Sequence, residues 1–250
     1  MRLIQFTDLH LSPEESGRVR GVDTRDSFRR CLAHARRHAG PADAFLLTGD
    51  LAQDDVRSYH ALVEILGGET IPVHCLPGNH DLPDQMARVL AAAPFDLSPV
   101  LRYGDWTIVM LDSAIPGIHH GELRGNSLAF LDEVLARFAD THALVVLHHQ
   151  PVPVGSAWLD AIGLVDAGAL LEVISRHRNV RGLLWGHVHQ AFDEVRDGVR
   201  FMATPSTCFQ FVPKRDDFAV DDRPPGYRRL DLHPDGRIDT EVHWVSREYQ

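Results

Sequence analysis

The stretch Ile71-Pro72-Val73-His74-Cys75-Leu76-Pro77-Gly78-Asn79-His80-Asp81 sets the reading of the whole chain. Its first half, residues 71–76, is a short apolar run of the kind that forms a buried strand. Its second half breaks at Pro77-Gly78 and then places an amide, an imidazole and a carboxylate side by side. A bland polar loop is one reading. The other is a ligand site, because in open α/β sheets ligands gather beyond the carboxyl ends of the strands.

Working outward, the same juxtaposition recurs. Apolar runs at 3–7, 44–48, 107–111, 143–147 and 182–185 read as further strands. Asp8 and His10 follow the first, Gly49-Asp50 the second, and His148-His149 and Gly186-His187-Val188-His189 the later ones. Helical periodicity covers 23–39, where Phe28, Cys31, Leu32 and Ala35 share a face, Asp23 is placed to cap and Gly40-Pro41 to stop. It recurs over 56–66, 126–138 and 167–175. Past Gly186, runs at 191–196, 199–203, 227–232 and 237–245, with turns at Asp197-Gly198 and Asp235-Gly236, read as a tail of antiparallel hairpins. The Pro- and Asp-rich segment 205–226 between them reads as an ordered loop. The alternation of strand and helix predicts an α/β fold, as one domain over residues 1–250.

Composition limits the function. Of the 250 residues, 44% are hydrophobic and 24% charged, the balance of a chain that folds by itself. Twenty-five basic against thirty-five acidic residues give a formal charge of −10, which repels a nucleic-acid polymer but not a small anion met by local positive charge. Three cysteines, Cys31, Cys75 and Cys208, with no Cys-x-x-Cys pair suggest neither a disulfide framework nor a thiolate zinc site, and fit a reducing cytoplasm. The opening Arg2-Leu3-Ile4-Gln5-Phe6-Thr7 has no leader character, and no segment approaches a membrane span, so no membrane association is expected.

Taken singly, the polar pieces have ordinary explanations. Asp8-Leu9-His10 and Gly49-Asp50 are common turn chemistry, and His148-His149 can be one buried and one exposed histidine. In Gly186-His187-Val188-His189 an extended chain points alternate imidazoles to opposite sides. Jointly, Asp8, His10, Asp50, Asn79, His148, His187 and His189 make seven donors, all at strand ends. That exceeds the three protein ligands of a catalytic zinc site and favours two ions. Imidazole and oxygen donors without thiolate suit Mn, Fe, Zn or Co, divalent or mixed-valence.

The ordered series Asp8-Leu9-His10, Gly49-Asp50, Gly78-Asn79-His80-Asp81, His148 and Gly186-His187-Val188-His189 resembles the calcineurin-like metallophosphoesterases. The segments Leu76-Pro77-Gly78-Asn79-His80-Asp81, His148-His149-Gln150-Pro151, Trp158-Leu159-Asp160 and Pro205-Ser206-Thr207-Cys208-Phe209-Gln210-Phe211 narrow the resemblance to the bacterial class III cyclic-nucleotide phosphodiesterases. The resemblance implies a four-layer α/β/β/α sandwich. It implies one ion on Asp8, His10 and His189, another on Asn79, His148 and His187, and Asp50 bridging them. It further implies a hydrolase that cleaves a small phosphodiester, 3',5'-cyclic AMP to 5'-AMP foremost, through a hydroxide held between the ions.

His80 is not a ligand in that family, and it is the candidate catalytic acid for the leaving alkoxide. Asp81 is a candidate partner for a neighbouring imidazole, or a cap for the helix that follows. Asn79, His80 and Trp158 are the candidate substrate contacts, Trp158 by stacking on a purine. Phe209 and Phe211 flank Gln210 and either wall a base pocket or mark a half-buried strand. A glycerophosphodiester is the second substrate reading, since the donors read phosphate and say little of the leaving group. A non-catalytic binding module is the third, and it would have shed donors that this chain keeps. A homo-oligomer is left open.

Overall fold

The structure, a computed structural model, describes residues 1–246. The chain opens with β1 (Arg2–Phe6), a small hairpin of β2 (Arg18–Val19) and β3 (Val22–Asp23), and α1 (Thr24–His38). β4 (Ala44–Thr48), α2 (Arg57–Leu66), β5 (Val73–Leu76), α3 (Pro83–Val89) and β6 (Phe95–Asp96) follow. The second half begins with β7 (Val100–Tyr103), β8 (Trp106–Met110), α4 (Ser127–Arg137), β9 (His142–Val146), α5 (Ala157–Asp160), α6 (Ala167–Ser175) and β10 (Val180–Trp185). The last elements are β11 (Phe192–Arg196), β12 (Val199–Ala203), β13 (Gln210–Phe211), β14 (Val220–Asp221), β15 (Gly226–Leu232) and β16 (Ile238–Trp244).

Two six-stranded sheets run in the orders β16-β15-β1-β4-β5-β6 and β11-β12-β10-β9-β8-β7. In the first, β1, β4, β5 and β6 are parallel neighbours; in the second, β8, β9, β10 and β12 are. Side chains alternate between the faces of a strand, so each strand feeds two cores. Leu3, Leu46, Ile108, Leu144, Val146 and Leu184 meet in one cluster between the sheets. Their neighbours Ile4, Phe45 and Leu47 pack outward on Phe28, Leu32, Tyr59 and Leu62 of α1 and α2. Val109, Val145, Leu183 and Trp185 pack outward on Leu131, Leu135, Leu170 and Ile174 of α4 and α6. The layers are therefore helix, sheet, sheet, helix, the α/β/β/α sandwich. Burial on both faces explains why these strands read as mainly apolar runs.

The main helices and strands fall where periodicity places them, within a residue or two. Asp23 caps α1 as expected, its carboxylate accepting from the Asp26 amide at 3.1 Å. The tail differs in one respect. Its pairs β11–β12 and β15–β16 are antiparallel hairpins, but β12 also lies parallel beside β10, and β15 returns to pair antiparallel with β1. The predicted strand at 237–245 ends at Trp244, and residues 247–250 lie outside the described part. The loop 205–226 carries the β13–β14 pair. No helix among the described residues is long and apolar enough to cross a membrane.

Polar side chains join the sheets beneath the strand ends. Gln5 of β1 donates to Thr48 Oγ1 at 2.7 Å and to the Trp185 carbonyl of β10 at 3.2 Å. Arg228 of β15, fully buried, donates to the Ala203 and Phe192 carbonyls at 2.7 and 3.0 Å. Each buried donor is satisfied across the seam, which fixes how the two sheets meet.

Candidate metal centre

The carboxyl ends of β1, β4 and β5 in one sheet, and of β9 and β10 in the other, open on the same side of the sandwich. Five of the seven expected donors there adopt left-handed backbone: Asp8 (φ 52°), His10 (46°), Asp50 (51°), His187 (64°) and His189 (47°). Non-glycine residues avoid this region, and clusters of such strain mark functional sites. The bends are held by the Asp8 amide on the Gly49 carbonyl (3.0 Å) and the His10 amide on the Asp50 carbonyl (2.8 Å). The His187 amide also donates to both Asp8 carboxylate oxygens, at 3.1 and 3.0 Å, tying the sheets together at the site.

Two glycines make room for the side chains. A Cβ on Gly49 would lie 2.2 Å from His148 Nδ1, and one on Gly78 would lie 2.3 Å from Asp50 Oδ1. Only a residue without a side chain lets the loops close this far.

The donor atoms converge in overlapping sets. One ligand atom each from Asp8, His10 and His189 lie mutually within 4.8 Å, as do those of Asp8, Asp50 and His148. Asp50 Oδ2 lies 3.8 Å from His10 Nε2 and 3.5 Å from His148 Nε2, so this carboxylate faces both halves of the cluster. Asn79 lines the same cleft as His10, Asp50, His187 and His189.

Hydrogen bonding fixes which way the lone pairs point. His10 Nδ1 donates to Gln53 Oε1 at 2.9 Å, His148 Nδ1 to the Thr48 carbonyl at 2.9 Å, and His189 Nδ1 to the Phe209 carbonyl at 2.6 Å. Each neutral ring therefore turns an Nε2 lone pair inward, the arrangement that an outer partner imposes on a metal-binding histidine. His10 Nε2 and His189 Nε2 then face each other at 3.1 Å with a lone pair on both sides. His148 Nε2, His187 Nε2 and Asn79 Oδ1 are buried with no protein partner. Each such atom costs about 1–3 kcal/mol if left unsatisfied.

The electrostatics make the same demand. Burial pushes the Asp8 and Asp50 carboxyls up, but the surrounding histidines outweigh it and hold both below the usual range. Burial drives His10 down to about 4, and drives His187 well below its usual value. His148 is pushed down by burial but raised by Asp50 and Asp8 to about 9, so a proton there takes the place of a cation. Two ionised carboxylates and inward lone pairs in a buried pocket fit a cation-binding centre, and nitrogen and oxygen donors without thiolate fit Mn, Fe, Zn or Co.

His149 is as buried as His148, so the reading of the pair as one buried and one exposed histidine does not hold. Its ligand atom lies within 4.8 Å of those of His148 and His187, but both of its nitrogens are engaged, Nδ1 with Ser113 Oγ at 2.8 Å and Nε2 with the His119 carbonyl at 3.1 Å.

His80 stands beside the cluster with its backbone amide on Asp50 Oδ1 at 2.8 Å. Its Nδ1 lies 3.1 Å from both oxygens of Asp54. Burial lowers the His80 pKa, but Asp50 and Asp54 outweigh it and raise the group above its ordinary value. Asp81 is not the partner of a nearby imidazole. It accepts from the Leu51, Ala52 and Gly78 amides at 3.1, 3.0 and 2.8 Å and from Tyr59 Oη at 2.9 Å, bracing the Asp50 and Asn79 loops. Asp54 escapes sequence reading because Gln53-Asp54-Asp55 looks like an ordinary solvated loop.

The cleft encloses about 340 Å³ and has two unlike ends. Its inner end is formed by the donor histidines, Asp50 and Asn79, and its outer end by Trp158, Phe211, Phe218 and Arg20. Trp158 is half-buried there and packs edge-on against Phe211 at 4.8 Å. Phe211 stacks on His189 at 4.4 Å and Phe209 on His10 at 5.8 Å, so the alternating aromatics of the loop back the donor rings.

The model of the calcineurin-like phosphoesterase family matches residues 1–191. A 3',5'-cyclic adenosine monophosphate phosphodiesterase of Haemophilus influenzae is 39% identical over 249 residues, 99% of this chain and 91% of the relative. A protein of the same description from Escherichia coli K12 is 40% identical over 248 residues, 98% and 90% of the two chains. Among solved structures, a dimetal phosphatase from Danio rerio superposes with a TM-score of 0.66 at 15% identity, over 98% of this chain and 99% of that one, a likeness of fold.

Proposed function

The chain belongs to the calcineurin-like phosphoesterase family, and we propose that it hydrolyses the 3',5'-phosphodiester of cyclic AMP to 5'-AMP at a dinuclear metal centre. One observation carries the reading: Asp50 Oδ2 faces both sets of donors, His10 Nε2 at 3.8 Å and His148 Nε2 at 3.5 Å, and in the second set His148 Nε2, His187 Nε2 and Asn79 Oδ1 are buried without a protein partner. Asp8, His10 and His189 would hold one ion, and Asn79, His148 and His187 the other, with Asp50 facing both sets. Two divalent cations bound there would supply positive charge to the non-bridging oxygens and acidify a water.

The chain's own groups do the rest. Outer hydrogen bonds donated to Gln53 Oε1 and to the Thr48 and Phe209 carbonyls keep three imidazoles in the binding tautomer. Burial excludes competing water and keeps the carboxylates at full effect. Asp54 holds His80 Nδ1, so the proton offered to the departing 3'-oxygen sits on Nε2 of an imidazolium that Asp50 and Asp54 favour. Gln53 bonds to His10 and, at 2.6 Å, to Asp54, linking a metal-holding ring to the acid's support. Trp158 at the outer end offers a face to the base.

Purified protein supplied with Mn²⁺ is expected to convert cyclic AMP to 5'-AMP as the sole nucleotide product. Cleavage of glycerophosphodiesters with cyclic AMP left intact moves the assignment to another small diester. Inertness toward every diester tried, with Mn, Fe, Zn and Co each supplied, returns the chain to a binding module.

A further inference from the structure

Beyond the donors, the outer end of the cleft is built from two segments far apart in sequence. The β2–β3 hairpin contributes Val19 and Arg20, and the loop between β13 and β14 contributes Phe218. Arg20 Cζ lies 5.0 Å from the centre of the Phe218 ring, so the two segments meet over the cleft. Among the described residues lining it, Arg20 is the only lysine or arginine.

Three features set this pair apart from ordinary surface contact. Arg20 (φ 52°) and Gly21 (φ 82°) both have positive φ, as a tight hairpin turn requires. Asparagine or glycine meets that requirement at lower cost, yet an arginine stands here and reaches the cleft. Its guanidinium makes no ion pair with any carboxylate among the described residues, while other arginines nearby, such as Arg25 and Arg29, do. Phe218, although large and apolar, is 46% exposed.

The loop that carries Phe218 is anchored on both sides. The Phe211 amide donates to the His189 carbonyl at 3.3 Å, and the Trp158 amide to the Asp216 carbonyl at 3.2 Å. Phe218 in turn lies edge-on to Trp158 at 5.1 Å and to Phe211 at 5.5 Å. A continuous series of rings therefore runs from His189 through Phe211 to Phe218 and ends under the Arg20 cation.

We propose that Arg20 and Phe218 form the nucleobase end of the cleft, taking the purine of a cyclic nucleotide against aromatic rings with the guanidinium at its edge while its phosphate sits on the donor cluster. The inference rests on the cyclic-nucleotide reading and deepens it. A flat π-system with ring-nitrogen acceptors stacks on aromatic faces and takes N–H donors from a guanidinium edge. A glycerol moiety offers neither surface. The pair therefore selects nucleotides over base-free diesters, and does so through binding rather than through the chemical step.

The test compares Arg20→Ala, Arg20→Lys and Phe218→Ala with the parent enzyme, Mn²⁺-loaded, on cyclic AMP, with 5'-AMP and ribose 5-phosphate as competing inhibitors. Loss of one stacking partner is expected to raise KM for cyclic AMP about tenfold for either alanine variant, mainly without loss of kcat. Arg20→Lys keeps the charge but loses the plane and falls between. The advantage of 5'-AMP over ribose 5-phosphate, which measures the base alone, is expected to shrink by the same factor while ribose 5-phosphate binds as before. Unchanged KM in both alanine variants overturns the inference and leaves the cyclic AMP reading standing, as does an equal loss of affinity for 5'-AMP and ribose 5-phosphate. A parent enzyme that cleaves other diesters but not cyclic AMP overturns both.

Discussion

Replacement of His80 by alanine separates proton donation from metal binding. The His80 contact to Asp50 Oδ1 is made by the backbone amide at 2.8 Å and survives the substitution, so the Asp50 carboxylate keeps its place between the two halves of the centre. What is lost is the imidazolium at Nε2. A positioned general acid contributes about 10²–10⁴-fold, so kcat on cyclic AMP is expected to fall within that range while metal content stays at the parent level. Asp54→Ala should cost less. Its side chain is 63% exposed, the pairing with His80 is accordingly screened, and a loss of about tenfold is expected from a looser ring and a lower imidazole pKa. The decisive assay runs each variant on cyclic AMP and on a diester whose p-nitrophenolate departs without a proton. Both variants should approach parent rates on the second substrate. An equal fall on both substrates, or loss of metal from His80→Ala, refutes the assignment of His80 as acid.

Other substitutions probe the frame. Asp50→Asn removes the charge shared by both halves, and elemental analysis should find both ions depleted; full occupancy of two ions contradicts the bridging role. Gly78→Ala places a Cβ 2.3 Å from Asp50 Oδ1 against backbone and a buried carboxylate that cannot retreat, and should destabilise the fold by about 1–3 kcal/mol in urea titration. Chelation should lower the melting temperature, since ligand at about 100 times its Kd contributes about 2.7 kcal/mol, and Mn²⁺ should restore it. An unchanged melting curve on chelation speaks against a metal in this cluster. Cys31, Cys75 and Cys208 are buried, burial pushes all three thiols up, and a thiol reagent should label them only after unfolding.

Much of this was legible in the residues because the physics is local. A strand buried on both faces is mostly apolar, so β1, β4, β9 and β10 show as apolar runs with few interruptions, such as Gln5 in β1, and donors beyond their ends stand out against them. The sandwich was legible through the resemblance, not through periodicity, which says nothing of strand order. Hence β15 could be read as a hairpin strand but not as the neighbour of β1 at the opposite end of the chain. β6 and β13 pair over two residues each, too few for a period. His149 carries the same letter as His148, and only the Ser113 and His119 contacts show how differently its ring is held. Asp54 and the Arg20–Phe218 pair depend on contacts that spacing cannot show.

The central claim is that seven donors from the ends of five strands close around two cations. A crystal of the manganese-loaded protein, read by anomalous scattering, tests it most directly. Two peaks about 3.5–4 Å apart are predicted, with Asp50 between them, Asp8, His10 and His189 on one and Asn79, His148 and His187 on the other. A single peak, or peaks held by other residues, contradicts the account.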